Sequence, residues 1–331
     1  MKKLSLPAVL LALLLAGLAG LAQAGALVPA HVSADAKWVG HVNFEALRAS
    51  ELVQACMEKW LKKDECQAKI EEMSKKLGMN PMKDLLAATM YDTAYGSHKG
   101  VAIVYVKNAD QKKLIGLLKE KCPDVQTAKH GERTLYTWTA KHRHHGEHKI
   151  SGCFADAGTM VFSSDPHKVQ AALEVIDGKK DGLCSESPLT QGVSKATLFM
   201  ASAMDVDPDY QKETRCPVLK KCTAASVQWA ERKGKLTGKY VLEANCEDTA
   251  QQIGTIVAGL KAMAALRFGS DETVSDLLDG VKSKVKGTTF TLSVKVSTDD
   301  VLEAARKCMK RYKARWEHHK KSADKHEGKK S

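Results

Sequence analysis

The sequence predicts an α+β fold of two layers, a mostly antiparallel sheet covered by amphipathic helices and arranged as duplicated lobes. Three observations carry that expectation. Segments with period-two alternation come in adjacent pairs joined by short turns, which favours antiparallel pairing. Each pair hands over, through a polar residue, to a segment of helical period whose apolar stripe needs a sheet to lie on. That unit also recurs. It is clearest from Lys239 to Leu260, where alternation through Tyr240, Leu242 and Ala244 passes over Asn245 into Ile253, Ile256, Val257 and Leu260. Val101 to Leu118 repeats it through Asn108, Met160 to Ile176 through Asp165 and Pro166, and Phe290 to Met309 through Ser297. Each junction residue suits a helix cap, since its side-chain oxygen accepts from a first-turn amide.

In chain order, Val39 to Val42 reads as a strand and Asn43 as the cap of a helix carrying Leu47, Leu52, Val53 and Cys56. Helix formers continue to Lys76, with Gly78 and Pro81 as stops. Cys56 and Cys66 on one straight helix would stand about 15 Å apart, beyond the roughly 7 Å limit of a disulfide. A bridge between them therefore requires a break near Lys62 to Asp64. Met90 to Tyr95 and Val101 to Val106 form a hairpin, followed by a helix over Ala109 to Lys121 with Leu114, Ile115, Leu117 and Leu118 inward. Arg133 to Ala140, Ile150 to Ala155 and Met160 to Phe162 are further strands. Gly178 to Gly192 has no periodicity and marks a lobe boundary. Beyond it come a strand at Ala196 to Ala203, a hairpin of Ser226 to Arg232 with Leu236 to Ala244 about Lys233-Gly234, a short helix at Leu277 to Val281, and an alternating strand from Phe290 to Val296. A last helix starts at Val301.

Lys2 and Lys3, the apolar run Leu4 to Leu21 and Ala22-Gln23-Ala24 read as a signal peptide cleaved after Ala24. The expected organisation is 1–24 signal peptide, 25–190 first lobe, 191–312 second lobe and 313–331 basic tail. No later window is apolar enough to span a membrane, so the mature chain is expected to be exported, periplasmic or extracellular, with no integral span. Of the formal charge of +12, the stretch from Arg306 to Ser331 contributes eleven Lys or Arg against three carboxylates. Arg311, Lys313, Arg315, Lys320 and Lys321 are the expected contacts for an anionic envelope component or an acidic protein. Aromatics make up 5% of the chain, which argues against nucleic acid.

His142, His144, His145 and His148 cluster at one hairpin tip and could share a zinc, copper or nickel ion. The competing reading is a solvated loop, since interspersed Lys and Arg oppose a dication. Nine cysteines allow at most four bridges, and Cys216 with Cys222, flanking Pro217, is the first candidate pair. The chain has no Cys-x-x-Cys, no nucleophile elbow, no phosphate loop and no dinucleotide fingerprint. Asp205, Asp207 and Asp209 read as a turn ahead of a calcium loop, because Pro208 interrupts them.

The Val39-Gly40-His41-Val42-Asn43-Phe44 opening, with the Gly234-Lys235-Leu236 strand and the helix from Asn245 to Leu260, resembles uncharacterised exported bacterial proteins of domain-of-unknown-function type. The resemblance implies no activity and transfers no functional residue. The functional expectation is thus an exported, non-enzymatic binding or envelope-associated protein without a cofactor, the alternative being a metal-capturing protein that uses the histidine loop.

Overall fold

The computed structural model describes residues 25–96, 99–107, 109–142, 146–209, 216–307 and 309–310. Its frame is one continuous antiparallel sheet of twelve strands. In chain order these are β1 (Trp38–Asn43), β2 (Leu85–Asp92), β3 (Val101–Val106), β4 (Gln126–His130), β5 (Arg133–His142), β6 (Gly146–Phe154), β7 (Thr159–Ser163), β8 (Thr197–Ala203), β9 (Cys222–Arg232), β10 (Lys235–Ala244), β11 (Val281–Lys286) and β12 (Thr289–Ser297). Their spatial order is β11-β12-β10-β9-β8-β1-β2-β3-β7-β6-β5-β4. The α+β architecture expected from the paired strands is therefore the one observed. The first strands of the two halves, β1 and β8, pair antiparallel at the centre. On each side a three-strand meander runs outward and is joined by the last strand of its half, β7 or β12.

The helices are α1 (Phe44–Ala49), α2 (Glu51–Leu61), α3 (Asp64–Leu77), α4 (Pro81–Asp84), α5 (Gln111–Lys121), α6 (Pro166–Ile176), α7 (Glu247–Phe268) and α8 (Glu272–Asp279), with a further helix, α9, over 298–307. Asn43 caps α1, its Oδ1 accepting from Ala46 N at 2.9 Å, and Asp165 caps α6 ahead of Pro166. The long helical stretch does break between α2 and α3, and Gly78, in the left-handed conformation at φ 71°, ends α3. Cys56 and Cys66 nevertheless carry free thiols.

Several boundaries differ from the sequence expectation. α7 is capped at Cys246, not Asn245, with Cys246 Sγ 3.2 Å from Thr249 Oγ1. α5 starts after Asp110, whose carboxylate accepts from Lys113 N, and not at Ala109. β2 begins at Leu85, five residues before the expected start and directly after α4. Two strands were not expected at all. β4 is a polar edge strand exposed along most of its length, and β11 follows α8, which starts at Glu272, before the short helix expected from Leu277, and ends at Asp279.

Paired residues in antiparallel strands share a face, which divides the sheet cleanly. On one face, α6 sets Val169, Ala172 and Leu173 against Val39, Ile103, Val161 and Met200 to make the main core. On the other, α7 sets Ala250 and Ile253 against Phe290, with Leu242 and Leu292 beside them. α5 lies on this second face over β5 to β7. A third cluster, Leu198, Leu236 and Val296 with Leu47, Leu52, Leu277 and Val301, ties the helices of the first half to the second. Glu231 of β9 reinforces that junction by accepting from Ser50 Oγ, from Glu51 N at 3.0 Å and from Thr298 Oγ1 at 3.2 Å.

Candidate functional site: an apolar floor between two helices

Following Cα partners across the α5/α7 face gives two adjacent rows that run almost the whole width of the sheet. The first passes from Tyr136 through Gly152, Phe162, Ala102 and Met90 to Gly40 of β1. It continues through Ala201, Val227 and Tyr240 to Leu292. The second runs from Phe154 through Met160, Val104, Ala88 and Val42, then through Phe199, Trp229, Gly238 and Val294 to Val281. Neither row contains a charged side chain. The polar handles of one adjoining pair are used up locally, since Trp229 Nε1 donates to Tyr240 Oη at 2.9 Å. Trp229 also lies across Gly238, where a Cβ would meet the indole at 2.9 Å, so the glycine is what lets the ring lie flat there.

A sheet face this apolar is ordinarily covered. Here α7 covers the β10–β12–β11 end and α5 the β5–β7 end, and Leu47, Leu52, Leu277 and Val301 cluster with Trp229 and Val294 of the second row, which leaves the first row open across β3, β2, β1, β8 and β9. Five strands at about 4.8 Å spacing make that interval roughly 20 Å wide. Met90 is 47% exposed and Phe199 40%, and a Cβ on Gly40 would meet nothing within 4 Å. The wall on the α7 side is apolar as well. Lys261 Nζ donates to Val281 O, and Gly254 packs against Val285, so one flank of α7 faces the β11 edge. Ile256, Leu260 and Met263 lie on the opposite flank by helical spacing and look toward β9; they are 53%, 56% and 61% exposed.

At the other end α5 stands off the sheet. Leu114, Ile115 and Leu118 point at Tyr136, Trp138, Phe154, Met160 and Phe162, yet no residue of α5 is buried, and a cavity of about 180 Å³ remains between helix and sheet. Gly152 gives the cavity its depth, because a Cβ there would strike Phe162 at 2.7 Å; Trp138 meets the Phe162 ring edge-on at 6.4 Å. Cys153 borders the cavity through its strand but pairs with Val161 and is buried in the α6-side core, where burial pushes its thiol up, so it is a packing residue. On its outer side α5 exposes Lys112, Lys113, Lys119 and Lys121, with Glu120 held by Lys121 at 2.8 Å. A second hollow, of about 880 Å³, lies among α1 to α4, but Arg48, Glu71 and Lys83 share its lining with Met57, Leu61 and Ile70.

The residues singled out from the sequence do not meet at this floor. His148 is exposed on β6, and His142 ends β5 opposite Gly146; His144 and His145 lie outside the described residues. Among the described residues no group of three His, Cys, Asp or Glu could hold a metal ion. Cys222 is buried, its Sγ donating to Val218 O at 3.3 Å, and its thiol is pushed up by burial and then by nearby Cys216, so the two residues of the candidate pair are neighbours. Arg311, Lys313, Arg315, Lys320 and Lys321 lie outside the described residues. Asp205 pairs with Lys37 at 3.0 Å, and Asp207 Oδ1 accepts from Asp209 N, a turn contact. The apolar rows are not legible in the sequence because each strand contributes only one or two of their residues; the signal in the sequence is Gly40, Gly152 and Gly238 inside strands.

No family model matches the sequence, and no curated protein matches it. Among solved structures, crystal form III of TP0453 aligns with a TM-score of 0.45 at 11% identity, over 83% of this chain and 96% of that one. Crystal form IV of TP0453 aligns with a TM-score of 0.44 at 10% identity, over 86% and 98%.

Proposed function

We propose that the chain is an exported, non-enzymatic binding protein whose ligand is an amphiphile, its acyl chain lying on the open apolar floor and its end tucked beneath α5. The observation that carries this reading is the cavity under α5, lined by aliphatic and aromatic side chains and continuous in register with an uncovered apolar sheet face. Burying apolar ligand surface there would stabilise the complex by roughly 25 cal/mol per Å² before the costs of association. The lysines of α5 suit an anionic headgroup at the rim. The leader and the basic tail support export and envelope association, and among the described residues no helix is long and apolar enough to cross a membrane.

Trp138 provides the test, because it stands in the cavity. Titration with a brominated fatty acid should quench the protein's tryptophan fluorescence, and Trp138→Phe should remove most of that quenching while leaving affinity within about threefold. Leu118→Trp, which fills the cavity, should weaken binding by about tenfold or more, as expected for losing 1–3 kcal/mol of apolar contact. Saturable binding that neither variant alters would refute the site.

A further inference from the structure

The face of the sheet opposite α7 is built differently: no described helix lies on its β10–β12–β11 end, and Pro188 and Gln191 border it beside Lys239. Lys282, Lys284 and Lys286 alternate along β11, Lys295 lies on β12 and Lys239 on β10, all exposed. The register puts them on one face: Lys239 pairs through Ser293 with Lys282, and Val241 through Thr291 with Lys284. Glu243, the acid among them, has its carboxylate occupied by the hydroxyls of Thr288 and Thr289. Thr237, Thr291, Ser293 and Val241 lie among them. We propose that this lysine face docks the protein on the anionic headgroup layer of a lipid bilayer.

Protection of a sheet edge explains lysines on β11, since a charged edge strand resists pairing with another chain. It does not explain Lys295 and Lys239, which lie on inner strands with both neighbours in place. The field therefore extends inward over three strands. Its partner must be anionic, and the two obvious classes make different demands. Single-stranded nucleic acid needs aromatic platforms for its bases, and none of the residues on this face is aromatic. A planar array of flexible ammonium groups instead matches a planar array of headgroups, to which each lysine adds about fivefold in affinity. Docking on this side would leave the apolar floor, on the other side, turned away from the bilayer surface.

The test is sedimentation of the full chain with phosphatidylcholine vesicles, with and without phosphatidylglycerol, across a salt series. Binding is expected only with phosphatidylglycerol, falling with salt, and about a hundredfold weaker in Lys282→Thr/Lys284→Thr/Lys286→Thr. Should that variant misfold, Lys239→Thr/Lys295→Thr on the inner strands is expected to lose about twentyfold. A third protein, with Arg311, Lys313, Arg315, Lys320 and Lys321 all changed to Ser, separates the face from the tail. If it alone loses binding while the face variants bind like the parent, the face is not the contact and the proposal fails. Binding of single-stranded DNA in preference to vesicles would also overturn it. Fatty-acid quenching at Trp138 is read separately, so failure here leaves the reading of the floor intact.

Discussion

His41 is a buried side chain held in its neutral state. It is 2% exposed, its Nε2 lies 3.2 Å from Gly25 O and its Nδ1 2.9 Å from Thr89 Oγ1. The carbonyl can only accept, so Nε2 carries the proton and Nδ1 takes one from the threonine hydroxyl. Burial holds the ring down at about 4, against 6.5 in the unfolded chain. As pH falls, the unfolded chain takes up the proton first. The stability that depends on neutral His41 is therefore complete above about pH 6.5, is lost between 6.5 and 4, and changes no further below that. The loss over that window amounts to roughly 3 kcal/mol. Thermal melts from pH 7.5 to 4 should show this loss, and His41→Gln should flatten the curve over that window. Glu231 is the second residue with a large expected effect. Glu231→Ala strips acceptors from Ser50, from the first turn of α2 and from Thr298, and should cost about 2–3 kcal/mol in urea unfolding. Glu231→Gln should retain part of that, since it keeps one acceptor oxygen.

Elements followed the sequence closely wherever one face was buried and the other wet. β10, β12, α6 and the turn at Lys233-Gly234 were all legible for that reason. In the turn both residues have positive φ, 53° and 66°, the primed geometry that suits a twisted hairpin. Gly234→Ala should therefore cost about 1 kcal/mol, measurable as a lowered urea midpoint with an unchanged slope. β4 was illegible because Gln126-Thr127-Ala128-Lys129 contains no apolar alternation, and β11 because its alternation places lysines where a pattern search looks for aliphatics. α5 was legible as a helix but not as a loosely seated one. The spacing of Leu114, Ile115, Leu117 and Leu118 says which side of the helix faces inward and nothing about how closely it approaches. Leu114→Ala should for that reason cost at most about 1 kcal/mol, well below the 2–5 kcal/mol usual for a core leucine, and thermal unfolding would show it.

On the scale of the molecule, the sheet is a surface with two chemistries on each side. One side is core beneath α6 and then a field of lysines; the other is an open apolar interval bounded by α5 and α7. None of this could be read along the chain, since it depends on which strands are neighbours and in what register. Formal charge illustrates the point: counted linearly, the body before Arg306 is close to neutral, yet its lysines gather on one face of three strands. The pairing of β1 with β8 has a consequence for how the molecule is made. Its partners, such as Gly40 and Ala201, stand some 160 residues apart, which gives this seam a high contact order. A chain growing from its N-terminus completes seven strands before β8 exists, so the first half spends that time with β1 as a bare, apolar edge. A fragment of residues 25–190 should on this account self-associate, visible as a dimer or larger species in analytical ultracentrifugation, while the full chain does not. The centre of the finished sheet is thus the last edge to close, and a chain kept from folding until both halves are present avoids pairing that edge with a neighbour.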